Sequence, residues 1–242
     1  MKKLLFSFLL LLVLSCNKKE HQQNTETKDQ NPINQDKETV EVSEKQKQDT
    51  LKIDYAEHKN LLDILTLLPD STMGSWAWSK KERIEFVKDI QKNKFTTGAP
   101  EHFSSIKLAQ PNTIEIQVVD GIWIFSIYKI KPNNYIVITD DIVGDGNDLL
   151  AFEYKDGALE YIPFENVFDN FLTALLINKD DKNCLDLLEE NNIGFEYLFT
   201  GTKKIEIANL SLTEGNNECF KGNSLNYEFN PELKKFELKT IK

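Results

Sequence analysis

One stretch of the sequence has the composition of a calcium-binding loop, the nine residues from Asp140 to Asp148. Calcium takes about six to eight oxygen ligands, so its loops place side-chain oxygens at alternate positions and use glycine where the chain must turn. With Asp141 as the first ligand, Asp145 and Asn147 fall in phase. Val143 at the third position and Leu149 at the ninth offer no side-chain oxygen, so two of the expected ligands are missing.

The same stretch resembles the Asp-x-Asn-Gly-Asp-Gly-x-x-Asp loops that bind calcium in propeller and dockerin-like repeats. The resemblance implies an ion that braces a loop and performs no chemistry. The alternative is a glycine-rich turn that joins two strands and leaves its acidic side chains in solvent, and the missing ligands favour it. Asp141, Asp145 and Asn147 remain the candidate calcium ligands, and no other cofactor is expected.

Two cysteines, Cys184 and Cys219, are candidates for a disulfide. Disulfides persist in oxidising compartments such as the bacterial periplasm. A bridge over this separation would stabilise the fold by about 3–4 kcal/mol. The alternative is a pair of buried free thiols. A redox-active pair is not expected, because the two residues lack Cys-x-x-Cys spacing.

The three tryptophans could form an aromatic platform for a sugar or a peptide, since exposed aromatic rings contribute strongly to binding. Trp76 and Trp78 precede an amphipathic segment, however, and Trp123 lies in an apolar strand. Core packing is therefore the preferred interpretation of all three.

Motifs of the common hydrolases and transferases are missing from the sequence. It has three histidines, none in a His-Glu-x-x-His zinc motif, and it has neither a Gly-x-Ser-x-Gly elbow nor a phosphate-binding loop. We therefore expect a protein that is not an enzyme. One alternative stays open, an envelope glycan hydrolase that uses paired carboxylates, because acidic residues are abundant.

The charge distribution excludes a nucleic-acid binder. Residues 51–242 carry 21 basic and 31 acidic residues, and Arg83 is the only arginine. A nucleic-acid-binding surface would show a basic stripe, usually with several arginines. The acidic excess instead suits a basic protein partner, which it would attract electrostatically.

Apolar periodicity predicts an α+β fold in which antiparallel meanders pack against helix pairs. Spacing typical of helices covers residues 55–68, 79–92, 166–177 and 181–191. Alternation typical of strands covers residues 113–118, 122–130, 135–139, 149–154, 158–162, 195–199, 204–208, 225–229 and 235–241. Two helices and a meander, occurring twice, would also fit two similar halves with a subdivision near residue 163.

The first fifteen residues have the pattern of a signal peptide, with Lys2 and Lys3 before an apolar run and Ser15 before Cys16. The run is about half the ~20 residues that a membrane-spanning helix needs. The segment resembles the signal and lipobox of a Bacteroidota-type lipoprotein precursor. That resemblance implies cleavage before Cys16 and its acylation, which would attach the protein to a lipid bilayer.

Residues 17–50 are almost entirely polar and are expected to form a disordered tether behind Cys16. Lys18 and Lys19 follow the cysteine, where surface-exported Bacteroidota lipoproteins carry acidic residues. The resemblance therefore favours the periplasmic face of the outer membrane, with the cell surface as the alternative. The hypothesis for the domain 51–242 is a non-catalytic module that binds a protein partner or supports the envelope. An inhibitor of a cationic lytic enzyme is one version of it.

Overall fold

A computed structural model describes residues 51–242 except 75, 104, 145, 192–193 and 214–217. The signal peptide, Cys16, the tether and Asp145 lie outside the described residues. The part of the chain that is described belongs to one compact unit. Within that part, no helix combines the length and the apolar character needed to cross a bilayer.

Two capped helices open the described chain. α1 (Tyr55–Leu65) starts at Asp54, whose carboxylate accepts hydrogen bonds from the first-turn amides. α2 (Lys80–Asn93) starts with the predicted capping box, in which Ser79 and Glu82 each bond the other's backbone amide. A short pair of strands, β1 (Ile53–Asp54) and β2 (Phe95–Thr96), joins the ends of the two helices.

The predicted central meander is confirmed as a six-stranded antiparallel sheet whose strands lie in chain order. It contains one strand that the periodicity did not predict, the first in the list. The strands are β3 (Ser105–Gln110), β4 (Thr113–Val118), β5 (Gly121–Lys131), β6 (Asn134–Val143), β7 (Gly146–Lys155) and β8 (Ala158–Ile162).

The four predicted C-terminal strands form a second antiparallel sheet, also in chain order. They are β9 (Glu196–Thr200), β10 (Lys204–Ala208), β11 (Ser224–Asn230) and β12 (Lys235–Ile241). One helix, α3 (Lys182–Glu190), precedes them and confirms the prediction over 181–191. The fold class is α+β, as the sequence predicted.

The helix predicted over residues 166–177 is wrong. Short 3₁₀ turns at Phe164–Val167 and Thr173–Leu175 replace it, and Asn170 and Leu172 between them have positive φ. The apolar spacing reflects burial in the core, because backbone groups of this segment bond the distant residues Phe236 and Cys219 and do not form a helix ladder. The second half therefore has one α-helix among its described residues, which removes half of the predicted repeat.

Both faces of the middle strands of the six-stranded sheet are buried. Trp123, Phe125 and Val137 face one apolar cluster, which α1 and α2 cover. Ile124 and Ile138 face another, which the second sheet covers. The layers are thus helices, six-stranded sheet and four-stranded sheet, and the chain after residue 163 shares a core with the strands before it.

Candidate functional site

The candidate calcium stretch forms the end of the β6–β7 hairpin. Val143 pairs with Gly146, so a two-residue turn joins the strands. Gly144 has a φ of 64°, a left-handed conformation that glycine adopts without steric cost. The alternative of a glycine-rich turn between two strands matches this geometry, but its expectation of solvated acidic side chains is wrong for Asp140 and Asp141, which are buried.

The two described calcium candidates lie on opposite faces of the sheet. Asp141 pairs with Asp148 and the next position of β6 pairs with Asn147, and neighbouring pairs in a ladder alternate in face. On the helix side, Trp76 Nε1 donates to Asp141 Oδ1 at 3.1 Å. On the other side, Asn147 Nδ2 donates to both carboxylate oxygens of Asp140, at 3.1 and 2.9 Å. Asp141 and Asn147 therefore do not fit as ligands of one ion.

The tryptophans divide between core and surface. Trp78 and Trp123 are each 1% exposed, and Trp123 Nε1 donates to the Thr72 carbonyl at 2.9 Å. Trp76 is partly exposed and borders a surface cleft beside Val119. A platform built from all three rings is therefore excluded by their positions.

Asp140 is the most unusual polar residue of the hairpin, because its side chain is fully buried. Burial raises the pKa of Asp140 to about 7, although the hydrogen bonds from Asn147 act in the opposite direction. The negative charges of Asp141, Asp148 and Glu115 raise that pKa further. Strand alternation is the sequence signal for this burial, because Asp140 continues the inward-facing series of Ile136 and Ile138.

A cleft of about 400 Å³ opens beside Asn147, the hydrogen-bond partner of Asp140, and we call it the hairpin cleft. Three aromatic rings contribute to its wall. The Phe164 ring lies edge-on to those of Phe171 and Tyr197, with centroids 5.7 Å apart in each pair. None of the described residues that line it is Lys, Arg or His. The lining consists of Gly146, Asn147, Asp148, Leu149, Phe164, Glu165, Phe171 and Tyr197.

Segments distant in sequence build this cleft. Phe164 and Glu165 lie in the 3₁₀ turn after β8, and the positive φ of Asn170 re-directs the chain just before Phe171. Tyr197 comes from β9 of the second sheet. Burial and the nearby charge of Asp140 both raise the pKa of the Tyr197 hydroxyl, which therefore stays neutral at physiological pH.

The two candidate cysteines are joined as a disulfide in the structure. Cys184 lies on α3, and Cys219 lies in the loop before β11, 35 residues further along the chain. The bridge ties α3 to the segment whose backbone also bonds Ile177. Its place on the second-sheet side of the molecule indicates a structural role.

The sequence matches no protein-family model, and it matches no curated protein. A solved structure with a similar course of the chain is described as a domain of an uncharacterized protein from Porphyromonas gingivalis W83. The two are 11% identical, with a TM-score of 0.46, and the match covers 74% of this chain and 98% of that chain. No function is transferred at this level of similarity.

Proposed function

We propose that this protein is a lipid-anchored, non-catalytic module on the periplasmic face of the outer membrane that binds a basic protein partner. The observation that carries the proposal is the hairpin cleft, which has aromatic walls, two acidic residues in its lining and no basic lining residue among those described. Binding sites of this kind combine apolar walls with a few polar groups that select the ligand.

The charge of the domain supports the same partner. Residues 51–242 have ten more acidic than basic residues, and the only arginine, Arg83, is fully buried. The cations on the described surface are therefore lysines, which are outnumbered by carboxylates. Such an excess accelerates encounter with a basic protein, and the acceleration falls as salt screens it.

Cross-linking followed by affinity capture tests the partner. The full-length tagged protein is cross-linked in envelopes at low and at high salt, and is then purified in detergent. We expect a basic protein that is enriched over a tag-only control and is lost at high salt. Recovery of no such protein, or of an acidic partner that resists salt, would overturn the proposal.

The anchor is tested separately with Cys16→Ser. The unmodified chain should incorporate an alkyne-palmitate label and sediment with membranes, because two or more acyl chains make attachment stable. The variant should incorporate no label. Protease treatment of intact cells then distinguishes the periplasmic face, where the domain is protected, from the cell surface, where it is digested.

One observation favours the alternative, a glycan hydrolase. A carboxyl group with a pKa of about 7, as for Asp140, has the value of a general acid at neutral pH. Both Asp140 oxygens, however, accept hydrogen bonds from Asn147, which stands between the carboxyl group and the cleft. We expect no release of soluble fragments from envelope glycans by the purified protein. Release that Asp140→Asn abolishes would establish the hydrolase.

A further inference from the structure

We propose that the hairpin cleft binds the alkylammonium group of a lysine side chain of the partner. This inference rests on the proposed function and specifies its site and its ligand chemistry. The occupant is a lysine on a protein surface.

The walls suit a cation on an apolar stem. Phe164, Phe171 and Tyr197 contribute to the lining, and the Phe164 ring packs edge-on to the other two, so the rings lie in different planes. A cation within about 6 Å of an aromatic ring face is attracted by the ring quadrupole. Leu149 adds an apolar surface for the methylene groups of a lysine stem.

The charges select a cation over a neutral ligand. Glu165 and Asp148 are exposed residues of the lining. Asp140 lies behind Asn147, and the charged groups that act on it are Asp141, Asp148 and Glu115, all acidic. The negative charges around Asp140 thus come from β4, β6 and β7, and the group facing them from β9 is the neutral phenol of Tyr197.

A compact ammonium group fits this lining. Asp148 pairs with Asp141, so its side chain belongs to the face of β7 opposite Asn147 and Leu149. Glu165 is therefore the exposed carboxylate on the cleft side among the described lining residues, and Asp140 is fully buried with both oxygens bonded to Asn147. Arginine binds best to a carboxylate that is fixed to match its planar fork, whereas an ammonium group is a point charge that needs no such match.

Occupation of the cleft is coupled to the proton on Asp140. A cation beside Asn147 favours the ionised carboxylate, so binding should release a proton when the pH lies below the free-state pKa of about 7. Affinity should therefore rise as the pH increases from 6 to 8. With an asparagine in place of Asp140, this coupling is absent.

Saturation-transfer NMR on the full-length protein in detergent micelles tests the inference. The probe is the peptide acetyl-Gly-Gly-Lys-Gly-Gly-amide, and matched peptides carry norleucine or arginine in place of lysine. We expect saturation to be strongest on the lysine δ and ε methylene protons, and absent with norleucine. Binding at least as strong by the arginine or norleucine peptide would overturn the assignment to an ammonium group.

Variants place the binding in the cleft. Glu165→Gln and Phe171→Leu should each weaken lysine-peptide binding by about threefold or more. Glu160→Gln, on the exposed face of β8, is the matched control and should bind as the unmodified protein does. Asp140→Asn should make the affinity independent of pH between 6 and 8. Unchanged affinity in both cleft variants would refute the site, provided that their circular dichroism shows the native fold.

Repeating the cross-linking capture with the two cleft variants separates this inference from the proposed function. A basic partner that is retained by both variants leaves the proposed function standing and refutes the cleft as its site. Binding of the lysine peptide without any captured partner supports the cleft and refutes the proposed function.

Discussion

Asp140 should make the protein less stable as the pH rises from about 4 to about 7. The pKa of its carboxyl group is about 7 in the folded protein, against an ordinary value of 3.8. Between these values the folded state holds a proton that the unfolded chain has released, so the free energy of unfolding falls as pH increases. Below a pH of 3.8 the contribution of Asp140 to the free energy of unfolding is fully present. Above a pH of about 7 that contribution is completely lost.

The size of the effect follows from the shift. A rise of about three pKa units, at about 1.4 kcal/mol for each unit, corresponds to about 4 kcal/mol. Local rearrangement and entry of water reduce such penalties, so we expect about 2–4 kcal/mol. Asp140→Asn removes this titration while keeping an oxygen that can accept from Asn147. Relative to the unmodified protein, the variant should therefore gain that amount of stability between pH 4 and pH 8.

Urea unfolding of both proteins, followed by tryptophan fluorescence at each pH unit, measures the gain. The buried Trp78 and Trp123 report on the helix-covered core next to the six-stranded sheet. The substitution also alters a hydrogen bond, at a cost that does not depend on pH. Comparing the stability difference between the two proteins at different pH values cancels that cost. Glu160→Gln is the control and should follow the unmodified protein. A difference between Asp140→Asn and the unmodified protein that stays constant within about 0.5 kcal/mol over this range would refute the reasoning.

Three further perturbations test other parts of the structure. Replacing both Cys184 and Cys219 by alanine should lower the free energy of unfolding by about 3–4 kcal/mol in urea, because the bridge closes a loop of 35 residues. Arg83→Met should lower it by about 2–4 kcal/mol in thermal melts, because two backbone carbonyls lose the donors that the buried guanidinium supplies. Millimolar calcium should leave the melting temperature unchanged, because Asp141 and Asn147 lie on opposite faces of the sheet.

Each of these expectations has a contradicting result. Two free thiols in the intact mass of the alkylated, unreduced protein would contradict the disulfide. Unchanged melting of Arg83→Met would show that its carbonyl partners find other donors. An upward shift of the melting temperature with calcium, and none with magnesium, would require a site that includes residues outside those described.

Much of the fold was predictable because local periodicity determines it. The capping residues of α2 and the apolar–polar alternation of β4 can each be recognised from a few neighbouring residues of the sequence. β3 was not predicted, because its pairing with β4 contains a register shift between Ile106 and Leu108. The shift interrupts the alternation of inward-facing and outward-facing residues along the strand. The segment 166–177 was misread because its apolar residues have helical spacing, while its backbone partners are far away in sequence.

The candidate site was less predictable, because its chemistry depends on long-range packing. The raised pKa of Asp140 comes from burial, and the second sheet contributes Tyr197 to its surroundings. The stretch from Asp140 to Asp148 suggested a metal loop by composition alone. Strand register, which composition does not specify, distributes its side chains over two faces and two separate cores.

The burial of both faces of the middle strands has a consequence for mutational tolerance. Most antiparallel sheets leave alternate positions in water, where substitutions are neutral. In β6 the eight successive residues from Asn134 to Asp141 are all buried, so every change there alters one of two cores. Variation without loss of stability should therefore concentrate on β8 and the hairpin turns. A library intended to change what the protein binds should diversify those positions and keep the middle strands fixed.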